Sequence, residues 1–209
     1  MGTSLVFTQP FYDALRTVVG LHHYIYPTIP PKGRYFEALV ERACKQVRQP
    51  FTRVKATTPN APREDIIIGE DRFSLKTQTG FGTKLNFIEI SKLLTTEKEP
   101  WTAVSLIERT LHHLNRYDYL LMLRAIWQEP VIHYQLVDIP LGLLKLIETV
   151  ELNAVQRRSG RQSLGGDIYH QGQKVLHVHF DGSDGKCQLR RLSVSDCNLL
   201  FSWDLHLSD

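Results

Sequence analysis

The chain has few cysteines and no long apolar run, and both shortages limit what the protein can be. Cys44, Cys187 and Cys197 show no CxxC spacing, so neither a disulfide framework nor a cysteine zinc site is indicated. No apolar segment approaches the roughly 20 residues of a membrane span. The N-terminus also lacks the basic and apolar regions of a secretion signal. We therefore expect a soluble, cytoplasmic protein without a membrane partner.

Motifs for nucleotide binding and for zinc are also scarce. The sequence contains no GxxxxGK[ST] and no GxGxxG after a strand, so no phosphate-binding motif supports a nucleotide-dependent enzyme. His177 and His179 share one strand face, which is one way to begin a zinc site. No third ligand at a convincing spacing accompanies them.

The composition predicts a folded protein with basic regions. The chain is 42% hydrophobic and 22% charged, with 209 residues, which suits one domain with a substantial core. Lys and Arg outnumber Asp and Glu between Lys32 and Lys55 and again between Arg157 and Arg191. Such regions can meet a polyanion such as nucleic acid, although an ordinary solvated surface is the alternative.

Apolar residues at helical spacing predict four helices. The first has Phe11, Leu15, Val18 and Val19 on one face, Thr8 as a possible cap and Gly20 as a stop. The others span Arg34 to Gln49 before Pro50, residues 95 to 116 with Thr96 and Glu99 in capping-box spacing, and a segment opening at Pro140. The third helix should bury Val104, Ile107, Leu111 and Leu114.

Strand-like runs lie between and after these helices. Residues 51–57, 64–69 and 72–79 predict an antiparallel meander, because the connections are too short for a parallel crossover. Further runs are YDYLLMLRAIW, VIHYQLVDI, KVLHVHF and KCQLRRLSV, and residues 153–167 predict a basic, glycine-bearing loop. This order favours an α/β or α+β fold with a mixed central sheet.

The hairpin at residues 65–76 concentrates polar groups on one of its faces. A two-residue turn at Glu70 and Asp71 would place Asp65 opposite Lys76. Because side chains alternate along a strand, one face should hold Ile66, Ile68, Phe73 and Leu75, and the other Asp65, Ile67, Ser74, Lys76 and Gln78. A simple ion pair between Asp65 and Lys76 is the alternative to a functional role.

Two acidic residues outside the hairpin could complete a cation site. Glu89 lies thirteen residues after Lys76, and Glu37 lies on the preceding predicted helix. Mg²⁺ is usually bound by one or two carboxylates together with water and substrate phosphate. A lysine beside such a site can stabilise charge that develops on phosphate.

These residues resemble the PD-(D/E)XK nucleases, particularly the type II restriction endonucleases. The resemblance covers roughly residues 32–127: a helix with KGRYFE, a strand Asp, a strand with SLK, then a helix and a strand. It implies an αβββαβ restriction-endonuclease-like core flanked by helices, at about residues 32–140. Glu64 replaces the usual proline, and Ser74 replaces the usual acid two residues before the lysine.

The resemblance also implies residue roles. A subgroup of these enzymes has Ser at the position of Ser74 and recruits a glutamate about thirteen residues after the lysine. Asp65 and Glu89 would then bind Mg²⁺, Lys76 would be the catalytic lysine and Glu37 an accessory acid. Glu37 as a solvated helix residue and a Glu89–Lys92 surface pair are the alternatives.

The expected substrate is double-stranded DNA, cut at specific sites by a homodimer, with a cognate DNA methyltransferase as functional partner. Recognition elements are expected within residues 151–209. Candidate DNA contacts are Arg157, Arg158, Arg161, Gln162, Ser163, Thr77, Gln78, Lys84, Lys174, Arg190 and Arg191. For the loop at 157–163 the alternative is a mobile solvated loop. The alternative functions are a structure-specific nuclease on the same core and a non-catalytic DNA-binding module.

Overall fold

A computed structural model describes residues 7–53, 65–96, 100–155 and 161–207. The helices are α1 (Gln9–Ile25), α2 (Arg34–Gln46), α3 (Ala103–Leu114) and α4 (Leu141–Lys145), with 3₁₀ turns at Leu146–Thr149 and Val194–Asp196. The first six strands are β1 (Phe51–Arg53), β2 (Ile66–Ile68), β3 (Asp71–Gln78), β4 (Phe87–Thr95), β5 (Tyr119–Gln128) and β6 (Val131–Asp138). They are followed by β7 (Asn153–Ala154), β8 (Leu164–His170), β9 (Gln173–Asp181), β10 (Lys186–Ser193) and β11 (Asn198–His206).

The first sheet is mixed, as predicted. Its strand order is β1-β2-β3-β5-β6-β11. The β1-β2-β3 meander is antiparallel, β3 and β5 run parallel, and β5, β6 and β11 are antiparallel neighbours. The crossover from β3 to β5 contains β4 and α3, which is a long enough connection to bring two parallel strands together.

The second sheet is antiparallel, with the order β4-β10-β9-β8-β7. Its edge strand β4 comes from the segment between β3 and α3. The last strand, β11, returns to the first sheet beside β6. The two sheets therefore draw strands from both halves of the chain.

Two apolar clusters pack against opposite faces of the first sheet. One joins α1 and α2 to a face that includes Phe73, Leu75 and Leu121. The other lies between the opposite face, with Leu120 and Met122, and the inner face of the second sheet, together with α3. Among the described helices, none combines the length and the apolar character needed to span a bilayer.

The bounds of α1 and α2 differ from the predictions. The core residues Phe11, Leu15, Val18 and Val19 are buried as expected, but α1 continues through Gly20 to Ile25. Tyr26 then precedes Pro27, and a proline disfavours helical backbone angles in the residue before it. Helix α2 ends at Gln46, three residues earlier than predicted.

The prediction for α3 was wrong at its start and partly wrong in its buried face. Thr102 is the N-cap, and its side chain accepts a hydrogen bond from the Ser105 amide at 3.3 Å. Thr96 is buried well before the helix, and Glu99 lies outside the described residues. The fully buried positions are Leu106, Thr110, His113 and Leu114, whereas Val104 is 66% exposed.

The remaining differences concern short or irregular segments. The helix opening near Pro140 is one turn of α-helix that continues as a 3₁₀ turn. The predicted loop at 153–167 contains β7 and the start of β8, while positions 54–57 and 64 lie outside the described residues. Strands β4 and β11 were not predicted, and both contain register irregularities that break simple alternation.

Candidate active site

The hairpin has the predicted faces but a different register. Ile66 pairs with Phe73 and Ile68 with Asp71, so the turn residues are Gly69 and Glu70 rather than Glu70 and Asp71. Gly69 has φ +64°, a conformation that glycine adopts without the steric cost of a Cβ atom. The register therefore moves by two residues, which preserves both faces but removes the predicted pairing of Asp65 with Lys76.

Asp65 instead lies beside the middle of β3, where its side chain binds Ser74 and Leu75. Its Oδ2 atom accepts hydrogen bonds from the Leu75 amide at 2.6 Å and from the Ser74 hydroxyl at 3.3 Å. The Asp65 amide donates to the Phe73 carbonyl at 2.8 Å. Ser74 is 1% exposed, so its hydroxyl and the Leu75 amide hold the Asp65 carboxylate in a sheltered position.

Lys76 is two residues after Ser74 on β3, so its side chain points to the same face of the first sheet as Ser74. It is partly buried. Burial lowers the pKa of Lys76, and the Lys92 ammonium also lowers it, while the carboxylates of Asp65 and Glu37 raise it. Within the part of the chain that the structure describes, Lys76 makes no hydrogen bond or ion pair. Its ammonium is thus held near two carboxylates without being tied to either.

Glu37 on α2 is a second acid whose charge reaches Lys76. Its carboxylate is close enough to act on Lys76, and its Oε2 atom lies 3.6 Å from the guanidinium of Arg53 on β1. The Arg53 Nε atom is 3.2 Å from Glu41, one turn further along α2. Arg53 therefore holds this side of α2 against the meander.

Glu89 lies on a different surface. It is exposed on β4, whose neighbouring side chains Ile88 and Ile90 are buried in the cluster between the sheets. Ile90 pairs with Leu189 and Ile88 with Leu192, so Glu89 alone stands opposite Arg190 and Arg191 at a bulge. Since side chains alternate, Glu89 points away from the side of the second sheet that faces Lys76.

The donor set around Lys76 suits a hard divalent cation. Asp65 and Glu37 both carry carboxylate oxygens, and Mg²⁺ commonly takes only one or two carboxylates from protein. The Oδ1 atom of Asp65 accepts no hydrogen bond from any residue in the described ranges. No cluster of three His, Cys, Asp or Glu side chains occurs in those ranges, so water and phosphate would supply most ligands.

Sequence reasoning missed two buried groups behind this face. His113 and Tyr117 are 7% and 2% exposed, and their rings meet edge to face at 5.5 Å. Burial, followed by the positive charge of Lys76, lowers the pKa of His113 to about 4. His113 lies in the last turn of α3 and Tyr117 just after it, and only the packing of this helix in the folded chain brings them to the site, so no short motif could have found them.

A buried arginine, also missed, organises the segment that follows β3. Arg124 on β5 is 0% exposed and donates to Gln78 at 3.1 Å and to Gln135. It also donates to the backbone carbonyls of residues 84, 85 and 87, at 2.5, 3.2 and 3.0 Å. Arg124 therefore fixes the loop between β3 and β4.

Contacts within the protein change the interpretation of two predicted DNA contacts, Gln78 and Thr77. The Gln78 side chain binds Arg124 and the Phe87 carbonyl, and the Thr77 hydroxyl accepts from the Gly33 amide at 3.3 Å. Both side chains thus have structural partners. Lys84 is exposed on the anchored loop, where its ammonium can meet solvent or phosphate.

The predicted recognition loop is bonded to the protein where it is described. Arg161 stacks over Trp101 at 4.7 Å, Gln162 donates to the Val155 and Ser163 carbonyls, and the Ser163 hydroxyl accepts from the Gly182 amide at 3.0 Å. Arg157 and Arg158 lie outside the described residues. Residues 161–163 therefore form an anchored segment.

The remaining predicted contacts lie on the outer face of the second sheet. Lys174 is 2.7 Å from Asp167, which also binds His177 at 2.6 Å. Arg190 pairs across the sheet with His177, and Arg191 follows at the β10 bulge with φ +59°. Both arginines are exposed, which shows that the bulge lets two consecutive side chains point outward.

Comparisons with known proteins agree with a nuclease. A family model described as SmaI, type II site-specific deoxyribonuclease, matches residues 2–205. The chain belongs to this family. The type II restriction enzyme SmaI of Serratia marcescens is 29% identical over 150 residues, which are 70% of this chain and 61% of that enzyme. The matched region is thus less than two thirds of the SmaI relative, and no solved structure matches the chain.

Proposed function

We propose that the protein is a type II restriction endonuclease that hydrolyses phosphodiester bonds of double-stranded DNA at specific sites. The observation that carries this proposal is that the carboxylates of Asp65 and Glu37 both act electrostatically on the partly buried Lys76, in a chain that belongs to a family of site-specific deoxyribonucleases. The order of Asp65, β3 and Lys76 further supports membership of the PD-(D/E)XK superfamily, with Ser74 in the usual acidic position.

The cofactor in this proposal is Mg²⁺, held by the carboxylates of Asp65 and Glu37. The cation would polarise the phosphate and lower the pKa of bound water. Lys76 places a positive charge where negative charge develops on the phosphate. Ser74 and the Leu75 amide keep one oxygen of Asp65 engaged, which leaves the other available.

DNA contacts are proposed for the exposed cations Lys84, Arg190 and Arg191, and for Lys174 beside Asp167. Their ammonium and guanidinium groups suit phosphate, and arginine can also read guanine edges. Arg157 and Arg158 remain proposed contacts on sequence grounds. A homodimer would place one such site on each strand of a palindromic duplex, with a cognate methyltransferase as functional partner.

The domain assignment also remains a proposal. A single domain would span the chain, with a catalytic core at about residues 32–140 and recognition elements within 151–209. The exposed cations of β9 and β10 support the second part, because Lys174, Arg190 and Arg191 share one side of the second sheet. Strand β11 also lies within residues 151–209, but it belongs to the first sheet and not to the second.

Cleavage of long DNA of known sequence in Mg²⁺ tests the proposal. We expect a fixed set of fragments whose ends map to one short sequence. Cutting only at junctions or lesions would indicate a structure-specific nuclease instead. Binding without any cleavage in Mg²⁺ or Mn²⁺ would indicate a non-catalytic DNA-binding protein.

The second carboxylate can be assigned by comparing Glu37→Gln with Glu89→Gln. Because Glu37 acts on Lys76 whereas Glu89 points away from that face, we expect Glu37→Gln to slow single-turnover cleavage by about 10²-fold or more. Glu89→Gln should retain cleavage within about tenfold of wild type, since its expected role is beside Arg190 and Arg191. The reverse ranking would assign the second carboxylate to Glu89.

A further inference from the structure

Tyr117 carries a buried hydroxyl that has no hydrogen-bond partner among the described residues. The residue is 2% exposed and lies in the cluster between the two sheets. A buried polar group without a partner costs free energy, because it gives up its bonds to water. An apolar phenylalanine of nearly the same shape would avoid this cost, so the hydroxyl calls for a functional explanation.

The backbone places Tyr117 close to the start of the catalytic strand. Its neighbour Asp118 donates its amide to the Arg72 carbonyl at 2.8 Å. The Asp118 carboxylate accepts from the Arg72 amide and guanidinium at 2.9 to 3.0 Å. Asp118 is thus held beside Arg72, and Arg72 is two residues before Ser74, the residue that contacts Asp65. Tyr117 is adjacent to Asp118 and is therefore held near this part of β3.

Tyr117 also lies on the same side of the first sheet as the Ser74 side chain. Ser74 pairs with Leu120, and Leu120 belongs to the same buried cluster as Tyr117. Phe73 and its partner Tyr119 face the opposite cluster. The Tyr117 hydroxyl and the Asp65 carboxylate therefore occupy one side of the sheet, near the same end of β3.

The hydrogen-bonding capacities of the two groups are complementary. Asp65 uses Oδ2 for Leu75 and Ser74, and its Oδ1 atom has no donor within the described residues. Burial raises the pKa of Tyr117, and the charge of Asp65 raises it further, so the hydroxyl stays protonated. It can therefore donate a hydrogen bond to a carboxylate at any pH at which the protein functions.

His113 packs against the ring of Tyr117. The two rings meet edge to face, with an interplanar angle of 81°. Neither ring nitrogen of His113 makes a hydrogen bond of ordinary geometry with a described residue. His113 therefore packs against the Tyr117 ring without engaging its hydroxyl, which leaves that hydroxyl available.

We propose that Tyr117 is a positioning residue whose hydroxyl donates to the carboxylate of Asp65 when cation and DNA are bound. The bond, direct or through one water, would occupy one lone pair of Asp65 Oδ1 and fix the carboxylate so that the other lone pair of Oδ1 faces the cation. This inference rests on the proposed function, since it concerns the same site. Groups that orient a metal-binding carboxylate in this way affect cation affinity without touching the cation.

The variant Tyr117→Phe tests this role because it removes only the hydroxyl. We expect the Mg²⁺ concentration for half-maximal single-turnover cleavage to rise by about 10- to 100-fold. Mn²⁺ binding, measured by calorimetry on the full chain, should weaken by a similar factor. The melting temperature without metal should stay unchanged or rise, because the hydroxyl has no hydrogen-bond partner among the described residues.

Tyr134→Phe is a matched control. Tyr134 is a buried tyrosine on the opposite side of the first sheet, and its hydroxyl lies 2.5 Å from His23 Nε2. This variant should lower the melting temperature and leave the cation requirement unchanged. The two tyrosines thus predict opposite results in the two measurements.

The outcomes separate this inference from the proposed function. Unchanged Mg²⁺ dependence and Mn²⁺ affinity in Tyr117→Phe, with an active wild type, would overturn the inference alone. A lower metal-free melting temperature together with lower activity would also overturn it, because the hydroxyl would then be structural. A wild-type protein that does not cleave DNA would contradict the proposed function itself.

Discussion

Lys76→Met is expected to eliminate most DNA cleavage and at the same time to stabilise the folded protein at neutral pH. The ammonium is partly buried and has no ion pair within the described ranges. Its pKa is lowered, chiefly by burial, so the fold disfavours the charged form that the proposed mechanism uses. Loss of a charge that stabilises the transition state should slow single-turnover cleavage by about 10²- to 10³-fold.

The stability gain should depend on pH in a defined direction. With the pKa of Lys76 lower in the folded chain, the unfolded chain binds more protons between the two pKa values, and wild-type stability rises with pH in that interval. The cost is fully present below the folded-state pKa and is relieved above the unfolded value of about 10.4. The advantage of Lys76→Met should therefore be largest at neutral pH and should shrink as the pH approaches 10.

Urea unfolding at neutral and alkaline pH measures the stability change, and single-turnover cleavage measures the activity. Lys145→Met is a suitable control, since Lys145 lies on α4, outside the proposed site, and should change both quantities little. Wild-type cleavage by Lys76→Met would remove Lys76 from the mechanism. A less stable Lys76→Met variant would mean that the lysine is a structural group.

Arg124→Met should lower the free energy of unfolding by about 3–5 kcal/mol, because it leaves several buried acceptors unsatisfied at a cost of about 1–3 kcal/mol each. Arg124 serves two glutamine side chains and three backbone carbonyls. Burial lowers the pKa of Arg124 to about 10, so the guanidinium remains charged at neutral pH. Methionine would fill similar space but would leave these buried acceptors without donors.

Arg72→Met gives a matched comparison. Arg72 forms a bidentate pair with Asp118, but its side chain is 42% exposed, and such exposed pairs contribute about 1 kcal/mol or less. Urea unfolding of both variants should therefore separate them clearly. If Arg124→Met stays within about 1 kcal/mol of wild type, the network does not anchor the loop between β3 and β4.

The faces of the hairpin could be predicted from sequence, but its register could not. Side-chain alternation depends only on strand character, and a shift of two residues leaves Ile66, Ile68, Phe73 and Leu75 on the same face. The register depends on which residue occupies the first turn position. Gly69 occupies it with a positive φ, and the adjacent Glu70 and Asp71 gave an equally plausible turn in the sequence.

The rest of the candidate site depends on contacts between distant segments. Arg124 stands in an apolar run, and its partners include a loop about 40 residues earlier in the chain. Tyr117 and His113 reach the site only because the end of α3 packs into the cluster between the sheets. Glu89 has the spacing expected from the resemblance, yet the alternation of β4 turns it toward the outer surface, which no spacing argument reveals.

The central claim is that Asp65 belongs to the active site of a sequence-specific DNA endonuclease. Its most direct measurement is the mapping of fragment ends from long DNA in Mg²⁺, with wild type and Asp65→Asn compared at equal concentration. We predict a fixed fragment pattern from wild type and intact DNA from Asp65→Asn, with both proteins folded by circular dichroism. The same fragment pattern from Asp65→Asn, formed at the wild-type rate, would contradict the account.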